Sequence, residues 1–467
     1  MIHPAATAAC IKRGPDMKKV LIKNGHVVDP KQNIDEIINV YAEDGRIVCL
    51  THDEPEADLV IDAAGKIVAP GFVDIHMHED DFDEEAGVFE KSMSISALRM
   101  GVTTNVGGQC GINHYDPAKM LDITDRDGAP VNLGLLVGHT YLRNMDGEKN
   151  KYEPVTAEDI ARMEKACAEF LDKGCLGASF GVKYIPGCTW EEIIAVARPC
   201  GEKGKMIASH VRNDVHGVLD AAEELAAIGR ETGAKVQFSH VGSMGGYGQM
   251  AQLLKNIEGY RAEGIDMLCD CYPYNAFSTT IGATTYDDGF LESYQADYDS
   301  VLMVSGKYAG QRCTKEIFDE MRRDDPNAAT VGYFMKSEDV EMALMSPMVM
   351  LGSDGIRTHG KGHPRASGSF PKFYCDYVKT GKMSRSEAIA KMTCMPADRL
   401  NLPQKGNLMP GSDADITIFD HDAIQDHATF EDGQIPSTGF AWILIGGEVA
   451  LKDDVIVNDH LGKAIRG

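Results

Sequence analysis

The sequence predicts an α/β chain: a (β/α)8 barrel of the TIM type carrying a small β-sandwich domain built from both chain ends. Three observations carry that expectation. Between residues 71 and 402 short apolar runs alternate with amphipathic helical stretches eight times over about 330 residues, within the size range of such a barrel. Residues 17–70 instead alternate short β-type runs with turn residues, as in "VLIKNGHVVD" and "LVIDAAGKIVAP". The end of the chain, residues 403–467, repeats that style in "PGSDADITIFD" and "AWILIGGEVALKDD", and chain termini tend to lie close together.

The eight strand candidates are "FVDIH", "VTTNVG", "VNLGLLV", "LGASFG", "KMIAS", "KVQFS", "DMLCD" and "MVMLG". Between them, "NDVHGVLDAAEELAAIGRETG" places Val215, Val218, Leu219, Ala222, Leu225 and Ile228 on one helical face, stopped by Gly233. Residues 282–347 show no clear strand and read as an insertion before the last barrel strand. The first 16 residues, "MIHPAATAACIKRGPD", read as a disordered extension ahead of a natural start at Met17.

Composition narrows the function. Apolar content of 43% and charged content of 25% are those of a globular protein. A net charge of −25 argues against nucleic acid or an anionic membrane surface as partner, but not against small anionic substrates, which respond to local charge. No apolar run is long enough to span a bilayer, and no secretory signal is visible. The twelve cysteines show no disulfide-framework spacing and read as reduced thiols of a cytoplasmic protein.

In a barrel of this type the catalytic groups sit at the C-terminal ends of the strands. The first strand ends on His76 and His78, which a period of two places on one face. The second leads to Cys110, the fifth ends with His210, the sixth with His240, and the eighth with Asp354. Singly, each has a bland reading: a structural histidine, an inert small hydrophobe, a turn aspartate. Jointly, four imidazoles, one thiol and one carboxylate at one barrel mouth form the ligand set of zinc rather than of a hard, oxygen-seeking ion. Zinc with an open position lowers the pKa of bound water to about 7, and Asp354 beside it can shuttle the proton. The expected chemistry is metal-assisted hydrolysis of an amide-like bond.

With these residues in place, the chain resembles the amidohydrolase superfamily, through "PGFVDIHMH" and "LGSDG". Within it, "GVTTNVGGQCGI", "LVGHTYLR", "SFGVKYIPG", "CDCYPYNAFST", "GSDGI", "HPRASGSFPKF" and "PADRLNL" resemble the N-acyl-D-amino acid deacylases, and the likeness runs from about residue 17 to 450. The resemblance implies that Cys110, His210 and His240 hold the main zinc, that His76, His78 and Asp354 line a weaker second site, and that Arg365 of "HPR" binds the substrate's α-carboxylate. An arginine suits that task because its planar fork meets a carboxylate with two parallel hydrogen bonds. The implied reaction is cleavage of the amide of an N-acyl-D-amino acid by zinc-bound hydroxide, with Asp354 as general acid and base.

Two departures qualify the likeness. Deacylases of this group commonly follow the strand-six histidine with a second histidine and a lysine that helps hold the carboxylate, whereas this chain has Val241 and Gly242. Lys183 in "SFGVKYIPG" stands where the group tends to carry an acidic or other residue. A carboxylated Lys183 would bridge a binuclear centre and suggest the alternative, a cyclic amidase of the hydantoinase or dihydroorotase sort; otherwise Lys183 supplies charge to a substrate carboxylate or lies at the surface. A non-catalytic barrel scaffold is the third possibility, and failure to bind metal would favour it. Further candidates near strand ends are Tyr184, Tyr272, Tyr274, Ser278 and Thr279 for substrate contact, and His139, Arg143 and His363 for positioning. The acidic run Glu79, Asp80, Asp81, Asp83, Glu84 and Glu85 reads as a solvated loop or a gate.

Overall fold

The computed structural model describes residues 18–83, 85–357 and 362–467. The expected disorder of residues 1–16 therefore lies outside the described residues, as does Glu84 of the acidic run.

Eight parallel strands form the barrel: β1 (Phe72–Asp74), β2 (Val102–Gly107), β3 (Asn132–Gly138), β4 (Gly177–Gly181), β5 (Met206–His210), β6 (Lys235–Phe238), β7 (Met267–Cys271) and β8 (Val349–Leu351). Each falls on one of the expected runs, and neighbours in sequence are neighbours in the sheet from β1 round to β8. The ring closes just past the strand ends. His78 N donates to Gly355 O at 2.9 Å and Asp354 N to His76 O at 2.7 Å. One buried cluster joins Val73, Val106, Leu136, Met206, Ala208 and Met350 from five different strands, and only the barrel interior can bring these together.

The helix Val218–Thr232 buries Val218, Ala222, Leu225 and Ile228 as its periodicity requires and ends at Gly233 with φ 70°, a left-handed stop that suits glycine. The sandwich is present. A four-stranded sheet from residues 19–62 faces a seven-stranded mixed sheet that interleaves His26–Asp29 and Ile67–Pro70 with Ile416–Phe419 and Phe440–Ile445. Val20, Ile22 and Val40 of the first sheet pack on Val27, Val68, Ile416 and Leu444 of the second.

Two expectations need correction. Residues 282–347 were expected to lack strands, yet the segment after β7 builds a three-stranded antiparallel sheet from Phe277–Thr280, Val301–Met303 and Ala329–Gly332. These strands are three or four residues long and partly hydroxyl-bearing, too short to show period-two alternation. The last residues were expected in the sandwich, but Ala464–Ile465 pairs with β3, Leu133 facing Ala464 and Gly134 facing Ile465. Residues 433–437 likewise lie against the helix Arg365–Phe373, where Ser437 Oγ donates to Ser367 O.

Candidate metal centre

The chain delivers its candidate ligands by stopping strands abruptly. Cys110, His240 and Asp354 all adopt left-handed backbone conformations, with φ of 53°, 34° and 49°. Such positions cost an L-residue on the order of 1 kcal/mol and persist where the surroundings over-determine them. The Cys110 loop is held from both sides. Gly108 N donates to Glu79 Oε2 at 2.6 Å, and a Cβ on Gly108 would fall 2.0 Å from Leu136 O, so that position requires glycine.

The side chains converge. Cys110 Sγ lies 3.4 Å from His240 Nε2 and 3.6 Å from His76 Nε2. Asp354 Oδ1 lies 3.4 Å from His76 Nε2 and 3.3 Å from His78 Nε2. One donor atom from each of His76, Cys110, His240 and Asp354 lies within 4.8 Å of the others, and all four residues are buried. His210 sits beside them, its ring centroid 4.6 Å from that of His240, and neither of its ring nitrogens has a hydrogen-bond partner. All six sequence candidates thus reach one place.

Electrostatics fit a cation there. Burial opposes ionisation of the Cys110 thiol, but His240, His210 and His76 hold its pKa well below the usual thiol value. Burial likewise opposes ionisation of Asp354, while Arg365, His240, His76 and His78 hold its carboxyl well below the usual range. The counterpart appears on the imidazoles. Against the cost of burial, hydrogen bonding to Asp354 and Cys110 pushes His78 up to about 9. His210, desolvated and facing His240, is pushed down to about 4 and stays a neutral, lone-pair-bearing ring. Two buried anions, unpartnered imidazole nitrogens and a soft sulfur together suit a divalent metal of the zinc kind.

A cavity of about 600 Å³ opens above this cluster and is lined by His78, Cys110, His210, His240, Asp354 and Arg365, among others. Arg365 is 2% exposed, bonds Asp354 Oδ2 through Nη1 at 2.8 Å, and leaves Nε without a partner. His363 fixes the start of the Arg365 helix: its Nδ1 accepts from Arg365 N at 3.0 Å, and its Nε2 contacts Ala276 O at 3.1 Å. Tyr184 lines the cavity with its ring 4.5 Å from His210. Ser278 and Thr279 line it too, with Ser278 Oγ donating to Thr330 O.

Other candidates sit elsewhere. Tyr272 lies beneath Arg365, 4.8 Å from its guanidinium, and Tyr274 packs on His363; neither lines the cavity. Lys183 Nζ pairs with Asp214 Oδ2 at 2.5 Å. Glu79 and Asp80 are not a solvated loop: Glu79 holds the Cys110 loop, and Asp80 accepts from Met93 N and Ser94 N at the head of the helix Ser92–Leu98.

Sequence reasoning missed two residues. Asp270, at the end of β7, accepts from His240 N at 2.7 Å and faces His76 Nδ1 at 3.0 Å, so it orients two candidate ligands at once. Its signal was available, a carboxylate ending an otherwise apolar strand in "DMLCDC". Lys151, in the loop after β3, lines the cavity and carried no motif.

Known proteins resemble this chain over most of its length. Residues 67–249 and 341–451 each match an amidohydrolase family, and these two stretches contain every candidate ligand. An N-acyl-D-glutamate deacylase of Alcaligenes xylosoxydans xylosoxydans is 31% identical over 84% of this chain and 85% of its own length. A D-aminoacylase of the same organism is 31% identical over 87% and 88%. The crystal structure of an N-acyl-D-glutamate deacylase from Bordetella bronchiseptica, complexed with zinc and a phosphonate mimic of the tetrahedral intermediate, superposes with a TM-score of 0.85 at 26% identity, covering 96% of this chain and 99% of that one. Among the described residues no helix is long and apolar enough to cross a membrane. With a metal-compatible barrel mouth and such identity over more than four fifths of its length, the chain belongs to the amidohydrolase family, as an enzyme of the D-aminoacylase kind acting on carbon–nitrogen bonds other than peptide bonds.

Proposed function

We propose that this protein hydrolyses the amide bond of N-acyl-D-amino acids with a zinc ion held by Cys110, His210 and His240, and that His76, His78 and Asp354 complete the centre. The observation that carries the reading is the convergence of Cys110, His76, His240 and Asp354 on the floor of a cavity whose wall is Arg365. The D configuration and the acylated amine come from the named activities of the relatives.

A zinc ion there supplies a Lewis acid that polarises the scissile carbonyl and acidifies water. The chain's own residues do the rest. Asp354 is kept ionised by Arg365 and the imidazoles, so it can accept the proton of the attacking water and release it to the departing amine as the carbon–nitrogen bond breaks. Arg365 keeps nitrogen atoms free of Asp354 and offers them to the α-carboxylate, which orients the amide. Tyr184 shapes the wall beside His210, Tyr272 supports Arg365 from below, and Ser278 offers a hydroxyl oxygen to substrate.

The cyclic-amidase alternative needs Lys183 as a carboxylated bridge, and the pairing of its ammonium with Asp214 gives that reading no support. The test is turnover by zinc-loaded protein of N-acetyl-D-amino acids, N-acetyl-L-amino acids and 5-substituted hydantoins in one mixture, followed by mass spectrometry. Loss of D-acetyl compounds, abolished in Asp354→Asn, is expected. Turnover of hydantoins alone would overturn the reading.

A further inference from the structure

A second buried cluster, His139, Cys188 and Glu192, has metal-ligand residue types but does other work. Glu192 Oε1 is shared between His139 Nε2 at 2.8 Å and Arg143 Nη1 at 2.5 Å, so a guanidinium already neutralises the carboxylate. The second arm of Arg143, itself 1% exposed, reaches outward: its Nη2 donates to Asn150 O at 3.2 Å and Glu153 O at 2.5 Å. Those two carbonyls bracket Lys151. Its own carbonyl accepts from Gly187 N at 2.8 Å, just past β4. A buried ion-pair network thus fixes the backbone of a loop on both sides of one lysine, and loops so pinned carry function on a rigid frame.

Lys151 is one of the residues that line the cavity. Its charge is unspent. Lys183 is paired with Asp214 and Arg365 gives one nitrogen to Asp354, whereas Lys151 has no ion pair among the described residues and only lies 5.2 Å from the Tyr152 ring. Its place in the ring also matters. Arg365 follows β8, while Lys151 is tied to the β3–β4 side, and β4 stands across an eight-stranded barrel from β8. The two cations therefore belong to opposite sides of the barrel ring while lining one cavity.

We infer that Lys151 receives a second carboxylate of the substrate, so that the preferred substrate is a dianion: an N-acyl amino acid with an acid on its side chain or at the far end of its acyl group. This rests on the amidase reading above. Arg365 holds the α-carboxylate, the scissile amide lies over the metal-ligand cluster, and the opposite end of the molecule reaches Lys151.

The test compares kcat/KM of the zinc-loaded enzyme for two isosteric pairs: N-acetyl-D-glutamate against N-acetyl-D-glutamine, and N-succinyl-D-leucine against its terminal primary amide. A charge-assisted contact predicts about a tenfold to hundredfold preference for one dianion over its neutral partner, expressed in KM. Lys151→Met erases that preference and Lys151→Arg retains part of it. Preference in the first pair locates the second acid on the side chain; preference in the second places it on the acyl group. No preference in either pair, or a preference that survives Lys151→Met, overturns the inference while leaving the amidase reading intact. Turnover of none of the four compounds overturns both.

Discussion

Arg365 Nη1 lies 2.8 Å from Asp354 Oδ2, while the other oxygen of that carboxylate faces His76 and His78 at 3.4 and 3.3 Å. The residue proposed to bind substrate is thus the direct partner of the residue proposed to move the proton. Arg365→Met removes the substrate anchor and leaves a buried carboxylate without its guanidinium, so both kcat and KM worsen, with kcat/KM down by about a hundredfold or more. Arg365→Lys keeps the charge, loses the fork, and raises KM more than it lowers kcat. Steady-state kinetics on both variants separates the two roles; an unchanged kcat in Arg365→Met would show that the pairing is not needed for the chemical step.

Removing the metal exposes the cost of the cluster. Without a metal, the buried Cys110 and Asp354 keep only Arg365 and the imidazoles to offset the cost of their desolvation. A metal present at a thousandfold its dissociation constant stabilises the fold by about 4 kcal/mol. Chelation is therefore expected to lower Tm, zinc to restore it, and Cys110→Ser to cut bound zinc measured by elemental analysis. A Tm indifferent to chelator would count against a metal at this position.

Asp270 touches two candidate ligands without pointing into the cavity. Asp270→Asn keeps the shape and removes the charge that fixes His76. Zinc affinity is expected to fall about tenfold to a hundredfold. Competition against a chelating dye measures this directly, and excess zinc should recover most of the activity.

Lys391 is 1% exposed and donates to Ser346 O and Val349 O at the foot of β8. Burial pushes its pKa down to about 8. Because the unfolded chain holds this proton more tightly, the charged form burdens the fold below pH 8, and the burden lifts as pH rises from about 8 toward about 10.4. Stability of the wild type relative to Lys391→Met should therefore improve across that window by about 2 to 3 kcal/mol. Urea titrations of both proteins at pH 7 and 10 check it. A difference that is flat with pH would mean that Lys391 titrates normally.

The barrel was legible because its strands are short apolar runs, five of which lead to a chemically distinctive residue. His76, Cys110, His210, His240 and Asp354 announce themselves as strand terminators, and the structure gathers them at one mouth. Lys151 and the sheet near residues 277–332 were not legible, for one reason. Their placement depends on bonds to distant residues, Gly187 and Glu192-bound Arg143 in one case and paired strands about 50 residues apart in the other, and such contacts leave no local period. Tyr272 lies near a strand end and packs under Arg365, a placement that its sequence position alone does not reveal.

The hydrogen bonds that close the barrel, Asp354 N to His76 O and His78 N to Gly355 O, run between the segments that bear candidate ligands. The clasp of the hoop and the reaction centre are therefore one piece of backbone. A metal gripping His76, His78 and Asp354 would also cinch the first strand to the last, so that occupancy of the centre would report on whether the ring is fastened. Hydrogen exchange at the amides of His78 and Asp354 would read that fastening directly, and should slow when zinc is added.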